Sequence, residues 1–233
     1  MAGLLVTDAD NTLWDTNRVF AEAQLLLLQR IEAYASGFDE PRDRLEFVRR
    51  YDQRIAHKHV DGLKYPPELL VREIADRLRV PLSPGETDKI VTEYTATLSR
   101  KPQLRRGVRA TLEGLHRHGT TIIVASEGHE SRVISNLQAH KLASLVDDIV
   151  VQEKSQEMFK RLFNSNGVGA PKVCIGDQLD RDIVPAKAAG FTTFYYPGGF
   201  RPSWEFDMEA SDADYVIQNY SDIRGAFLSE DVA

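Results

Sequence analysis

Aspartates gather at the ends of short apolar runs in this chain. Asp8 and Asp10 end the first run, Leu4–Asp8, in the stretch Asp8-Ala9-Asp10-Asn11-Thr12-Leu13. Asp177 ends another, Lys172–Asp177, with Asp180 and Asp182 just beyond it. Ser126 closes the run Thr121–Ser126. Carboxylates brought together at one place repel one another strongly unless something offsets them. A hard cation with oxygen ligands is the common solution, and Mg²⁺ needs only one or two direct carboxylates beside water and phosphate. Lys154, just after the run Ile149–Val151, adds a fixed positive charge. These residue types suit a divalent cation with a phosphate beside it.

The runs that carry these residues are rich in β-branched side chains. They include Thr192–Tyr196 and Ala213–Ile217 as well as those named above. Helical patterns lie between most of them: Val108, Leu112 and Leu115; Val133 and Leu137; Met158, Phe159, Leu162 and Phe163; Ile183 to Ala189. Near-continuous apolar strands alternating with helices predict a parallel sheet covered on both faces. Ligands of such sheets bind at the carboxyl ends of the strands, where the acids fall.

Between the first strand and the next βα unit the pattern is helical throughout. Phe20, Ala23, Leu27, Ile31 and Tyr34 fall on one helix face. Asp39-Glu40-Pro41 reads as a second helix start, and Pro66-Pro67 opens a third. Ser83-Pro84-Gly85-Glu86 is a capping box with Pro at the first helical position. The expected organisation is an α/β core over residues 1–15 and 104–233, interrupted by a helical domain over 16–103.

The ordered set resembles the haloacid dehalogenase-like (HAD) hydrolase superfamily over the whole chain. The resemblance is carried by Asp8-x-Asp10-x-Thr12-Leu13, the inserted helices, Ser126, Lys154 and Gly176-Asp177…Asp182, with Ala188-Ala189-Gly190 after it. It implies a Rossmann-like three-layer α/β/α core with an inserted all-helical cap. It also implies a Mg²⁺-dependent phosphatase acting on a small phosphorylated metabolite. Asp8 is then the nucleophile that forms an aspartyl-phosphate, and Asp10 the general acid and base. Asp8, Asp177 and the backbone carbonyl of Asp10 hold Mg²⁺, and Asp182 binds outer-shell water or steadies Lys154. Ser126 bonds the transferring phosphoryl group and Lys154 neutralises it. Lys154 lacks the proline that often follows the family lysine, and Lys160 and Lys172 are the alternatives. Glu127, Gly128, Lys64 and Tyr65 are candidate substrate contacts. A phosphomutase shares every core residue. A dehalogenase has no use for an acid at Asp10, and a phospho-accepting signalling domain places its aspartate on another strand and has no cap.

Composition narrows the partners. A net charge of −6 argues against a nucleic-acid footprint. No run approaches the roughly 20 apolar residues of a membrane span, and Met1–Val6 lacks the basic start of a leader. The single Cys174 fits a reducing, cytoplasmic setting and reads as a packing residue. Monomer and homodimer both stay open. The basic stretch Arg42–His59 reads as a solvated face because Asp43, Glu46 and Asp52 interleave with it. Pro197-Gly198-Gly199 reads as a plain turn.

Overall fold

The apolar runs pair into one six-stranded sheet in the computed structural model, which describes residues 3–35, 37, 41–60, 65–165, 167, 169–199 and 208–227. The strands of this sheet are β1 (Leu4–Asp8), β4 (Thr121–Ser126), β5 (Asp148–Val151), β6 (Lys172–Gly176), β7 (Thr192–Tyr195) and β8 (Tyr215–Val216). They lie in the order β5-β4-β1-β6-β7-β8, and every neighbouring pair is parallel. From β1 the chain builds outward through β4 and β5, then returns to β1's other side to build β6 to β8. The fold is therefore a Rossmann-like α/β core. Its switch point lies between β1 and β6, where crossovers diverge and leave a crevice at the carboxyl ends.

Both faces of the sheet are covered, which is why its strands read as near-continuous apolar runs. All five residues of β1 are buried. Leu5 packs with α5 (Val108–Arg117) and α6 (Glu130–Ala139). Leu4 and Val6 point the other way, toward α7 (Gln156–Asn164) and α8 (Val184–Ala188). Tyr220, fully buried on the first face, donates its hydroxyl proton to Thr7 Oγ1 at 2.9 Å. This tie pins β1 at the residue just before Asp8.

The chain divides into two compact units, residues 1–17 with 102–233 and residues 18–101. Where it leaves and re-enters the first unit, β2 (Trp14–Asp15) and β3 (Gln103–Leu104) form a short antiparallel ribbon. Two-residue strands are too brief to leave a periodic trace in a sequence. Helix α1 (Thr16–Glu32) runs out into the second unit, which holds α2 (Arg44–Lys58), α3 (Pro67–Leu78) and α4 (Pro84–Leu98). Leu27, Ile31, Val48, Leu70, Ile74 and Ile90 build its own core. The capping box on Ser83 and Glu86 forms as the sequence predicts. Helix α2 starts later than Asp39-Glu40-Pro41. Asp43 takes the cap by accepting the Glu46 N–H at 2.9 Å, and Asp39 and Glu40 lie outside the described residues. Arg42, Arg50, Arg54, His57 and Lys58 of the basic stretch are exposed, as a solvated face requires, and some guanidiniums also bind within the unit. Arg54 and Arg77 lie 4.9 and 5.3 Å from the Tyr51 ring centroid, and Arg44 pairs with Glu32. No described helix is long and apolar enough to cross a membrane.

Leu5 is fully buried whereas Val216 on the edge strand is half exposed. Leu5→Ala should destabilise the protein by about 2–5 kcal/mol through lost transfer energy and a residual cavity. Val216→Thr should stay within about 0.5 kcal/mol. Urea unfolding monitored by circular dichroism reads both; equal midpoints for the two variants would contradict the assignment of the core.

Candidate active site

The loop after β1 is shaped by its own backbone. Leu13 N–H donates to Ala9 O at 2.9 Å, and Asn11 N–H to Trp14 O at 2.7 Å. Asn11 takes a left-handed conformation, φ 62°, which Asn tolerates better than most residues. Asp8 thus stays on the strand end while Asp10 stands off it. Asp10 Oδ1 accepts the Trp14 indole N–H at 2.9 Å and the Thr16 hydroxyl at 2.6 Å.

Ser126 ends β4 beside Asp8, because Asp8 pairs in register with Ala125. Its Oγ accepts the Gly128 N–H at 3.1 Å. A Cβ on Gly128 would lie 3.3 Å from Ser126 Oγ and 3.6 Å from Asp10 Oδ2. Gly128 therefore sits against both residues.

Lys154 follows β5, and its Nζ lies 2.5 Å from Asp8 Oδ1 and 2.6 Å from Asp182 Oδ1. Its side chain is only 5% exposed. Lys160 is exposed on α7. Lys172 sits at the amino end of β6, where its Nζ donates to Phe163 O at 2.5 Å. Among the three candidate lysines, Lys154 is the one at the carboxylates.

Asp177 follows β6, and Asp182 folds back from a π-helical turn, Leu179–Ile183. Asp182 Oδ2 accepts the Gln178 N–H at 3.0 Å. This return explains Gly176, since a Cβ there would lie 2.2 Å from Asp182 Cγ. Asp8, Asp177 and Asp182 each offer an oxygen within 4.8 Å of the others. The Asp10 and Asp180 carboxylates are not in this group. Asp180 instead lies 3.8 Å from the Arg181 guanidinium.

Three buried carboxylates therefore cluster beside one ammonium, which pairs directly with two of them. Burial pushes Asp8 up to about 7 against the pull of Lys154, with the charges of Asp182 and Asp10 adding to the rise. Asp177 is raised well above the usual carboxylate range by burial and then by Asp8 and Asp182. Burial works to lower Lys154, but Asp182 and Asp8 outweigh it and hold the ammonium above its ordinary range. Asp8 Oδ2 is buried and has no hydrogen-bond partner among the described residues. An oxygen-only donor set, a surplus of negative charge and an unpartnered buried oxygen together fit a hard divalent cation.

Several residues of this site carry no motif in the sequence. The Asn11 side chain works to lower the Asp177 carboxyl, and its Oδ1 accepts the Asn17 N–H at 2.7 Å. Asn17 Nδ2 donates to Gly198 O at 2.9 Å. A Cβ on Gly198 would lie 2.7 Å from Asp177 Oδ2, so the stretch read as a plain turn borders the acids. Arg105 donates to Asn11 O, to Tyr196 O at 3.2 Å and to Pro197 O at 2.9 Å, and its guanidinium stacks on the Tyr196 ring. It thereby joins the loops after β1 and β7. Of the expected substrate contacts, Tyr65 is buried in the helical unit and donates its hydroxyl to Asp52, which also accepts Gln24 Nε2 at 3.1 Å. Lys64 lies outside the described residues. Glu127 accepts the Lys154 backbone N–H and pairs with Arg181.

Residues 5–195 match a family model described as haloacid dehalogenase-like hydrolase. No curated protein sequence matches the chain. Solved structures with a similar fold include a haloacid dehalogenase-like family hydrolase from Xanthomonas campestris, with 18% identity, a TM-score of 0.67 and coverage of 97% of this chain and 96% of that one. YfnB of Bacillus subtilis, described as a HAD hydrolase and bound to magnesium, shares 18% identity at a TM-score of 0.67, covering 97% and 98%. CbbY of Rhodobacter sphaeroides, in complex with xylulose-1,5-bisphosphate, shares 18% identity at a TM-score of 0.55, covering 96% of each chain. At these identities the likeness is one of fold.

The raised carboxyls make stability depend on pH when no cation is supplied. A group whose folded pKa exceeds its unfolded value binds more protons when folded. Its stabilisation is full below the unfolded value and is lost as pH rises through the folded one. For Asp8 that window runs from 3.8 to about 7, and Asp177 acts in the same direction. In EDTA, urea stability should therefore decline from pH 4 to 7, and the decline should be shallower in Asp177→Asn. An equal slope in the two proteins would contradict the charge balance.

Proposed function

The chain belongs to the haloacid dehalogenase-like hydrolase family, and from that premise we propose a Mg²⁺-dependent phosphohydrolase of a small phosphorylated metabolite, working through an aspartyl-phosphate. The observation that carries this reading is Asp8. One of its oxygens is held by Lys154 at 2.5 Å, while the other is buried and has no partner among the described residues. A metal bound by Asp8, Asp177 and the Asp10 carbonyl would draw negative charge from the phosphoryl oxygens. Asp182 is assigned to hold Lys154 and outer-shell water. The inserted helical unit is assigned as a cap.

In this reading Asp8 attacks phosphorus as the bond to the leaving oxygen breaks. The departing alkoxide takes a proton from Asp10, leaving an alcohol and an aspartyl-phosphate on Asp8. Water then attacks that phosphorus and gives its proton to Asp10. Phosphate leaves and the Asp8 carboxylate is restored. Ser126 donates to a phosphoryl oxygen, and Lys154 neutralises the transferring group. Trp14 and Thr16 hold the Asp10 carboxylate. Gly128, having no side chain, leaves room for the leaving group beside Asp10.

A second reading draws on the sugar bisphosphate held by CbbY. A phosphomutase would use the same four side chains but return the phosphoryl group to a second hydroxyl of the sugar instead of to water. Dehalogenation is disfavoured because a halide leaves without protonation, so Asp10 would have no task.

Asp8→Asn should lower kcat on p-nitrophenyl phosphate with Mg²⁺ by about 10³-fold or more, with unchanged circular dichroism. Retained turnover would refute Asp8 as nucleophile. EDTA should abolish wild-type turnover and MgCl₂ restore it. A panel of phosphorylated metabolites, scored for free phosphate against isomeric ester by ³¹P NMR, separates hydrolase from mutase.

A further inference from the structure

Glu127 stands next to Ser126, where a substrate contact is expected, yet both its oxygens are engaged within the chain. Oε1 accepts the Lys154 backbone N–H at 2.8 Å. Oε2 pairs with the guanidinium of Arg181. Arg181 belongs to the π-helical turn that also carries Asp182, and Asp182 holds Lys154 Nζ at 2.6 Å. A closed circuit results. It runs from Glu127 to the Lys154 backbone, along that side chain to Asp182, back one residue to Arg181 and so to Glu127. It joins the loops after β4, β5 and β6.

We propose that Glu127 is a positioning residue, which sets Lys154 against Asp8 by gripping the lysine's backbone from one side and the turn that holds its ammonium from the other. This rests on the phosphohydrolase reading, in which Lys154 neutralises the transferring phosphoryl group. Lys154 spans a long flexible side chain between its backbone and Nζ, and flexible chains lose rotamer freedom when ordered. Fixing both ends removes that freedom before substrate arrives. A displacement of about 1 Å in a group that meets the transition state can cost about 10²-fold in rate. The Arg181 guanidinium is partly exposed, 43%, so its pairing with Glu127 adds little stability by itself. The function of the pair is geometric.

The test uses the full-length protein with Mg²⁺ and two esters, p-nitrophenyl phosphate and an alkyl phosphate. A positioning role through Lys154 acts on the phosphoryl group, which the two substrates share. Glu127→Ala should lower kcat by about 10- to 100-fold to the same extent on both. It should also raise the inhibition constant of inorganic phosphate. Glu127→Gln keeps an acceptor for the Lys154 N–H and should recover most of the loss. Arg181→Met releases only one side of the grip and should fall between wild type and Glu127→Ala. A merely structural role would reduce the active fraction without moving the phosphate constant. The proposal is overturned if the loss differs between the two esters, if it appears in KM alone, or if Glu127→Gln is as damaged as Glu127→Ala. Should Glu127→Ala fail to fold, the glutamine and Arg181→Met variants decide it. A wild-type protein inactive on both esters would instead overturn the phosphohydrolase reading, so the two failures are distinguishable.

Discussion

One buried ammonium held between two carboxylates is the contact on which the rest of this site depends. Lys154 lies within 2.6 Å of both Asp8 and Asp182, and almost none of the three side chains is exposed. Breaking such a pair by removing one partner leaves an uncompensated buried charge, which typically costs about 3–5 kcal/mol. The loops that bring the three residues together are constrained accordingly. Asp182 can reach the lysine only because its turn folds back over the end of β6, and that return requires glycine at position 176. The loop after β5 is gripped at the Lys154 N–H by Glu127. Asp8 is fixed from below by β1, whose preceding Thr7 is tied to the buried Tyr220. Local backbone choices, side-chain packing and charge all converge on one point at the sheet's edge.

That point is dictated by topology. In the order β5-β4-β1-β6-β7-β8, only β1 and β6 are spatial neighbours whose onward crossovers diverge. Asp8 and Asp177 sit at those two strand ends. Four strand ends contribute, so no single stretch of chain contains the site.

This arrangement explains which parts were legible in the sequence. The strands and their order along the chain could be read because burial on both faces imposes apolar runs, as in Leu4-Leu5-Val6. The acids could be read because Asp8, Asp10, Asp177 and Asp182 have no business at the end of a buried strand without a task. The capping box at Ser83 is local and was legible for that reason. Arg105 was not legible. Its partners Asn11 and Tyr196 lie 94 and 91 positions away, and nothing around it marks a long-range bond. Gly198 reads as a turn residue from its neighbours, whereas its closeness to Asp177 comes from the packing of β7 beside β6. Tyr65 shows the converse. A polar aromatic beside Lys64 suggests a ligand contact, but the phenol is spent on Asp52 inside the helical unit's own core.

The remaining imbalance is a feature that packing alone would have removed. Three carboxylates and one lysine leave the cluster net negative, and burial then raises Asp8 and Asp177 above their ordinary range. A second lysine would offset part of that charge from within. It would also fill the space beside Asp8 Oδ2 with a side chain that cannot leave, and its donors would occupy that oxygen. A small cation held by Asp8 and Asp177 would supply what a lysine cannot, positive charge for carboxylates and phosphate alike with room left for water. In the proposed reading, the Asp8 oxygen without a partner among the described residues is the structural cost of sharing charge with a bound cation. Native folds concentrate such unfavourable groups where chemistry needs them. Here Asp8 and Asp177 bear that cost together at one crevice, at the ends of two buried strands of the six-stranded sheet.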